Sequence, residues 1–236
     1  MYAMKELGIP LSYSIGTTVS WGPCGLYNNA SKHFVYECDE YDRNFLHFEP
    51  AISIITALDY DHVDTYPTEK DYRDAFVQFL QQSGQNVLWE KDLRYLHADP
   101  MTDLDAYDEH MDLSHIKLPG VHVRQNAFLV QKVLEGLGTA ADDAVRAINA
   151  FPGTSRRFER LTDHLVSDYG HHPSEIKATL QMAKEVSDKV VLVYQPHQNV
   201  RQHEIRADYT TEVFQAADKV YWLPTYLSRE DPALEI

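Results

Sequence analysis

The segment His164–Tyr194, HLVSDYGHHPSEIKATLQMAKEVSDKVVLVY, decides the fold class of this chain. It begins with a strand-like run at His164–Asp168, continues with helical spacing over Pro173–Val186, and returns to a strand-like run at Lys189–Tyr194. A strand, a helix and a strand in this order form a βαβ unit, whose two strands are parallel and whose crossover is right-handed. The segment therefore predicts an α/β fold.

The same alternation extends in both directions from this segment. Downstream, a helical pattern at His203–Ala217 and a strand pattern at Lys219–Leu223 complete a βαβαβ unit. A Phe-Pro-Gly-Thr break at residues 151–154 predicts a boundary between a first domain, residues 1–152, and a second, residues 153–236. The pattern of the first domain predicts two strands (His33–Cys38, Ala51–Leu58), a helix (Thr68–Gln82), two possible edge strands (Asn86–Trp89, Met111–Lys117) and two helices (Val121–Gly136, Ala140–Ala150).

Composition limits the classes of function. The 236 residues include 36 acidic residues against 21 Lys and Arg, a formal net charge of -15. Nucleic acid and anionic membrane surfaces are therefore unfavoured partners, although a local cluster of Arg can still bind an anionic nucleotide. Two cysteines are too few for a disulfide framework, and no apolar run approaches the roughly 20 residues that span a bilayer. We expect a cytoplasmic protein without membrane insertion.

Two acidic clusters follow the first two predicted strands. The first is Glu37-Cys38-Asp39-Glu40-Tyr41-Asp42, and the second is Asp59-Tyr60-Asp61-His62-Val63-Asp64. If the strands are neighbours, both clusters emerge at one edge of the sheet, where carboxylate oxygens and an imidazole suit Mg²⁺ or Mn²⁺. A solvated acidic loop is the alternative interpretation. Zinc is less favoured, because neither cysteine has the spacing of a zinc ligand.

These two stretches, Tyr36–Leu46 and Asp61–Tyr66, resemble the central domain of the Mur ligases, above all of their alanine-adding members. The resemblance implies that Glu37 and His62 bind the divalent metal ions at the γ-phosphate of ATP. Their separation, 62 − 37 = 25 residues, fits the family pattern. On this basis the chain is expected to be a central ATP- and metal-binding domain followed by a partial C-terminal dinucleotide-binding-like α/β domain.

Two further motifs extend the resemblance. Residues 120–127, GVHVRQNA, are similar to the family's Gly-x-His-Asn-x-x-Asn-Ala element, which implies that His122 and Asn126 contribute to an adenine pocket at a helix start. Val123 replaces the first Asn, so the hydrogen bond of that Asn is not expected. Residues 151–159, FPGTSRRFE, resemble the hinge between the central and C-terminal domains, which implies that Arg157, rather than Arg156, reaches the ATP phosphates.

The second domain carries two more similar strings. DYGHHPSEI at residues 168–176 resembles the family's Asp-Tyr-(Ala/Gly)-His-His-Pro-x-Glu motif, which implies that Asp168 contacts the nucleotide and His171 the substrate side. QPHQNVR at residues 195–201 resembles Gln-Pro-His-x-x-x-Arg, which implies that His197 and Arg201 lie near the amino acid and the uridine nucleotide. Without the family context, the His171-His172 pair could equally be surface residues.

The resemblance implies an ATP-dependent ligase of peptidoglycan synthesis that forms an acyl phosphate and then an amide. The implied substrates are UDP-N-acetylmuramate and L-alanine, with ATP and Mg²⁺ or Mn²⁺ as cofactors. The family also needs a phosphate loop ending in Gly-Lys-Thr, and the 236 residues contain no Gly-Lys pair. We therefore expect a fragment, truncated at both ends and inactive alone. A relative that attaches a peptide, of the murein peptide ligase type, and a non-catalytic binding remnant remain as alternatives.

Overall fold

The computed structural model describes residues 1–98, 103–196 and 205–226. These residues form two compact units. The first comprises Met1–Thr17, Gly22–Lys117 and Arg124–Phe151, and the second comprises Thr18–Trp21, Leu118–Val123 and the described residues from Pro152 onward. Two short segments of the first half thus pack with the second unit. The division into functional domains at residues 152 and 153 stays a prediction.

The first unit contains two sheets. In one, β1 (Ser12–Ser14) lies between β2 (Gly25–Leu26) and β3 (Phe34–Tyr36), antiparallel to β2 and parallel to β3. In the other, β4 (Ile52–Ile54), β5 (Gln85–Trp89) and β6 (Leu104–Tyr107) are all parallel. The parallel strands confirm the predicted α/β class.

Two strand predictions in this unit are wrong. The strand predicted as an edge at Asn86–Trp89 is the centre of its sheet, and its side chains Val87, Leu88 and Trp89 are at most 1% exposed. A short apolar run of this kind is typical of a parallel strand that is buried on both faces. Met111–Lys117 forms no strand, because the Asp112 carboxylate accepts hydrogen bonds from the N–H and hydroxyl of Ser114 and folds the segment into a turn.

The helices of the first unit are α1 (Tyr2–Glu6), α2 (Glu69–Gln82), α3 (Glu90–Leu96), α4 (Val121–Gly136) and α5 (Ala141–Asn149), with a 3-10 turn at Tyr41–His47. The first three residues of α4 belong to the second unit. The predicted start of α2 is confirmed. Thr68 and Asp71 form a reciprocal capping box, and each satisfies a backbone N–H of the other. The apolar face of α2 packs on a core that includes Phe45, Tyr66 and Leu88, which fixes the loops after β3 and β4 against the helix.

In the second unit, α6 (Pro173–Val186) and the parallel pair β9 (Val191–Tyr194) and β10 (Lys219–Trp222) confirm the central part of the predicted unit. The first predicted strand does not join this sheet. It forms β8 (Leu165–Ser167), which pairs antiparallel with β7 (Glu159–Thr162). Only two residues separate these strands, so a local hairpin forms without the crossover that parallel pairing requires.

The helix predicted at His203–Ala217 is interrupted. Residues 203 and 204 lie outside the described residues, and the remainder forms a 3-10 turn at Arg206–Asp208 and a short helix, α7, at Thr211–Phe214. Thr210 is extended, with φ -82° and ψ 164°, and serves as the N-cap of α7. Consecutive Thr residues favour such a break, because a β-branched side chain that can bond the nearby backbone is a poor helix former. Within the described ranges, no helix has the length and apolar character that crossing a bilayer would require.

Asp92 on α3 is a buried carboxylate, and it leads to a testable prediction. Its side chain is 3% exposed, one oxygen accepts the Leu58 N–H at 3.3 Å, and the other oxygen has no hydrogen-bond partner. Burial raises the pKa of Asp92 to about 6 from an ordinary value of 3.8. Folding therefore favours the protonated form, so this contribution to stability is complete below about pH 4 and is lost as pH rises through about 6.

We expect Asp92→Asn to raise the free energy of unfolding near neutral pH by about 1 to 2 kcal/mol, because it removes the cost of a buried charge and keeps an oxygen for Leu58. The gain should shrink toward about pH 4. Urea unfolding of both proteins across this pH range measures it. Asp42→Asn, at an exposed left-handed position that Asn tolerates, is the matched control. An Asp92→Asn protein that is less stable at every pH would contradict the prediction.

Candidate functional site

The two acidic loops of the first unit meet, although β3 and β4 belong to different sheets. The Nε2 atom of His62 lies 3.2 Å from Oε1 of Glu40. The hydroxyl of Tyr66 donates to the main-chain oxygen of Glu40 at 2.6 Å. The N–H of Asp42 donates to the hydroxyl of Thr65 at 3.3 Å. These three bonds join the loop after β3 to the loop after β4 and place His62 against a carboxylate.

Glu37, the carboxylate that the sequence paired with His62, makes a different bond. Its Oε2 accepts the N–H of Gly16 at 2.8 Å, so its exposed side chain is directed toward the segment after β1. Among the described residues, no group of three or more His, Cys, Asp and Glu side chains could hold a metal ion. The role of Glu37 and His62 as metal ligands therefore stays a prediction, and Glu40 is a neighbour of His62 that the sequence reasoning missed.

Three residues of these loops have left-handed backbone conformations: Asp42 (φ 52°), Arg43 (φ 58°) and His62 (φ 57°). None of them is a glycine, and such a conformation is uncommon for a residue with a Cβ atom. It persists only where the surrounding structure enforces it, and it is enriched at functional sites. Here the guanidinium of Arg43 stacks 5.1 Å from the ring centroid of Tyr66, a buried side chain, and contributes to that enforcement.

The electrostatics of the loops keep the carboxylate beside His62 ionised. The hydrogen bond from His62 is the main cause that lowers the pKa of Glu40. The ring of Tyr41 lies 5.2 Å from the same imidazole, and the charge of Asp64 raises the pKa of the Tyr41 phenol. Near neutral pH the dyad thus presents a carboxylate acceptor and an imidazole donor.

The start of α4 carries the predicted adenine-pocket residues. His122 and Asn126 are four residues apart on this helix, so their side chains lie on the same face. The preceding Gly120 has φ 87°, and a Cβ atom there would lie 2.9 Å from the sulfur of Met182, so glycine is required. Whether the two side chains bind a base stays a prediction.

Two side chains of α6 cap the beginning of α4. Glu185 accepts the N–H of Gly120 at 2.8 Å, and Gln181 accepts the N–H of Val121 at 3.1 Å. An unoccupied helix start offers its N–H groups to anions, but these two are already satisfied by side chains. A ligand at this end of α4 would therefore be recognised through side chains such as His122 rather than through these backbone groups.

Two of the predicted residues of the second unit, Arg157 and His171, meet at Glu175. The guanidinium of Arg157 lies 3.4 Å from Oε1 of Glu175, and the N–H of His171 donates to its Oε2 at 3.0 Å. Burial opposes ionisation of Glu175, but the bonds and charges of His171, His172 and Arg157 outweigh it and lower the pKa. Asp168 accepts the N–H groups of Phe158 and Gly170 at 2.8 and 2.7 Å.

Glu175 is the second residue that the sequence reasoning missed. Its position as the third helical residue after His172 matches a capping box, a pattern that could have identified it. The guanidinium groups of Arg156 and Arg157 lie 4.9 and 6.0 Å from the ring centroid of Tyr169, so the two arginines share this contact, and Arg157 additionally pairs with Glu175. His197 and Arg201 lie outside the described residues.

Comparisons with known proteins agree with the motifs that surround these residues. No protein-family model matches the chain. It is 33% identical to the UDP-N-acetylmuramate–L-alanine ligase of Clavibacter sepedonicus over 98% of this chain and 56% of that protein. Its fold matches the crystal structure of UDP-N-acetylmuramate-alanine ligase from Thermotoga maritima with a TM-score of 0.74 and 25% identity, over 95% of this chain and 57% of that one. Over nearly its whole length, the chain is therefore similar to UDP-N-acetylmuramate–L-alanine ligases.

The wider Mur ligase fold is also visible in a more distant structure. Murein peptide ligase from Psychrobacter arcticus matches with a TM-score of 0.60 and 18% identity, over 94% of this chain and 59% of that one. At this identity the match shows the shared fold. The chain spans about half the length of the curated Mur ligases it matches.

Proposed function

We propose that this chain is part of an ATP-dependent ligase that joins L-alanine to UDP-N-acetylmuramate in peptidoglycan synthesis. The observation that carries the proposal is the 33% identity over 98% of the chain to a protein named for that reaction. The proposed reaction forms an acyl phosphate on the muramate carboxylate, and the amine of L-alanine then displaces phosphate. Its use of ATP places the reaction in the cytoplasm.

The loops after β3 and β4 would hold the metal ions. Glu37 supplies an exposed carboxylate and His62 a half-buried imidazole. These two side chains would fill only part of the coordination shell of a metal ion. Mg²⁺ accepts such a shell, since it keeps several waters and binds substrate phosphates, and Mn²⁺ binds similar ligands. When bound, the metal would neutralise the charge that develops on the transferring phosphoryl group.

The remaining site residues would bind the nucleotide and the second substrate. His122 and Asn126 would contact adenine, and Asp168 would contact the nucleotide. Arg157, held by Glu175 at 3.4 Å, would exchange this carboxylate for ATP phosphate oxygens, which a planar guanidinium can bind in pairs. We place the other substrates near His171, His197 and Arg201.

The alternatives from the sequence gain less support. The likeness to murein peptide ligase lies at an identity that shows fold alone, so it does not favour a peptide as the added group. The binding-remnant alternative rests on the absence of a Gly-Lys pair in the chain. We accordingly expect the isolated chain to form no product from ATP, UDP-N-acetylmuramate and L-alanine, because phosphoryl transfer needs the Lys and backbone cradle of a phosphate loop.

A chimera provides the direct test. The segment of the Clavibacter sepedonicus ligase that aligns with this chain, about 56% of that protein, is replaced by this chain. We expect ATP-dependent formation of UDP-N-acetylmuramoyl-L-alanine, measured by phosphate release that requires both substrates. A folded chimera that binds Mg-ATP but forms no product with L-alanine would contradict the proposal. A chimera active only with a peptide would favour the murein peptide ligase type.

A further inference from the structure

The main chain of His62 is fixed on both sides, which restricts where its ring can lie. Its N–H donates to Oδ1 of Asp61 at 2.7 Å, and its carbonyl accepts the N–H groups of Thr65 and Tyr66, both at 2.8 Å. The left-handed φ of 57° is held by these bonds. The position of the imidazole is therefore decided by the side chains that contact it.

Glu40 is equally fixed, and its carboxylate faces the imidazole. Its carbonyl accepts the hydroxyl of Tyr66 at 2.6 Å and the N–H of Arg43 at 3.0 Å. From this position its Oε1 lies 3.2 Å from Nε2 of His62. Tyr66 thus bonds to both residues through its hydroxyl and its N–H, so it ties the two sides of the contact together.

The chemistry of this contact selects one form of the imidazole. An ionised carboxylate only accepts hydrogen bonds, so Nε2 of His62 must carry the proton and donate it. In the neutral ring, the lone pair then resides on Nδ1. In metal sites, a carboxylate that accepts the ring N–H of a ligating histidine fixes its tautomer and raises its basicity, and loss of such a partner costs about 10- to 100-fold in affinity.

We infer that Glu40 is a positioning residue that holds His62 in the Nε2-protonated tautomer and so strengthens binding of a divalent cation at this loop pair. The inference rests on the proposed function for the presence of the cation, but the Glu40–His62 contact stands on its own geometry. The inference gives the carboxylates of Glu37 and Glu40 different roles. Glu37 would contact the cation, and Glu40 would act through His62.

The experiment uses the full 236-residue chain. The tautomer of His62 is read from its imidazole nitrogens by long-range proton–nitrogen NMR without metal, at a pH where the ring is neutral, and the His62 signals are assigned by their loss in His62→Asn. In the wild type we expect the proton on Nε2. In Glu40→Ala we expect a mixture of tautomers. In Glu40→Gln, whose amide oxygen can still accept the proton, we expect the wild-type tautomer to be kept.

The affinity for Mn²⁺, measured by calorimetry on the same proteins, gives an independent readout. We expect Glu40→Ala to weaken Mn²⁺ binding by about tenfold or more, and Glu40→Gln by less. Asp42→Asn is the matched control, because it removes the same charge from the same loop at an exposed position. Circular dichroism and thermal melting verify that each variant is folded.

The outcomes separate this inference from the proposed function. An unchanged tautomer in Glu40→Ala, or equal weakening of Mn²⁺ binding in Glu40→Ala and Asp42→Asn, would overturn the positioning role. A wild-type chain that does not bind Mn²⁺ would overturn the cation part of the inference and count against the proposed metal site, while the tautomer result would still judge the contact itself. The expected pattern in both readouts supports the inference.

Discussion

In the chimera that carries this chain, His62→Ala or Glu37→Ala is expected to lower the rate of phosphate release by about 100-fold or more. The reason is electrostatic, since each substitution removes a proposed metal ligand from a transfer whose catalysis depends on neutralising phosphoryl oxygens. The rate is measured with saturating UDP-N-acetylmuramate and L-alanine over a range of Mg²⁺ concentrations. If a lost ligand only weakens binding of the metal, high Mg²⁺ restores part of the rate.

His47→Ala is the control for this experiment. His47 is an exposed histidine at the end of the 3-10 turn in the same unit, and its removal should leave the rate unchanged. Near-normal rates for both His62→Ala and Glu37→Ala at low Mg²⁺ would remove these two residues from the mechanism. Loss of rate in Glu37→Ala alone would retain the carboxylate and exclude the imidazole.

Arg157→Ala in the same chimera is expected to lower the maximal rate by about 1000-fold, the low end of what an arginine at a transferring phosphoryl group contributes. Arg157→Lys should recover only a part, because an ammonium cannot reproduce the paired hydrogen bonds of a guanidinium. Folding should survive, because Oε2 of Glu175 still accepts the N–H groups of His171 and His172 after Arg157 is removed.

The control for Arg157 is Arg160→Ala, which removes a nearby exposed arginine on β7. The maximal rate and the Michaelis constant for ATP are measured for each protein. A role in ground-state binding alone would raise the Michaelis constant and leave the maximal rate unchanged. That result would contradict the proposed contact with the transferring phosphates.

Local patterns predicted α2, α4, α5 and α6, but they did not predict α3, and the helix that they predicted at His203–Ala217 is interrupted. The capping box of Thr68 and Asp71, the apolar spacing of α4 and the proline that opens α6 are all encoded within a few residues. The pairing of strands depends on contacts between segments that are distant in the sequence. The pattern of a single strand does not indicate its partner. For this reason the sequence predicts β8 in the parallel sheet, although it pairs with β7, and β5 at an edge, although it is central.

In the candidate site, too, the sequence predicted local features but not the specific contacts. Sequence patterns indicated that the loops after β3 and β4 could meet, and the bond between Glu40 and His62 joins them. They did not indicate that Glu40, rather than Glu37, would contact the imidazole. That choice follows from the left-handed turn at Asp42 and Arg43 and from the Tyr66 hydroxyl, and neither has a signature in the sequence.

The hydrogen bonds of the Asp168 carboxylate affect what its retention in related proteins indicates. Its two oxygens accept the main-chain N–H groups of Phe158 and Gly170, so it closes the loop that carries Arg157 through protein groups alone. A descendant that had lost catalysis would still be selected to keep this aspartate, because its substitution would disturb folding. The survival of Asp168 in a lineage is therefore evidence of a maintained fold, and by itself no evidence of a maintained enzyme.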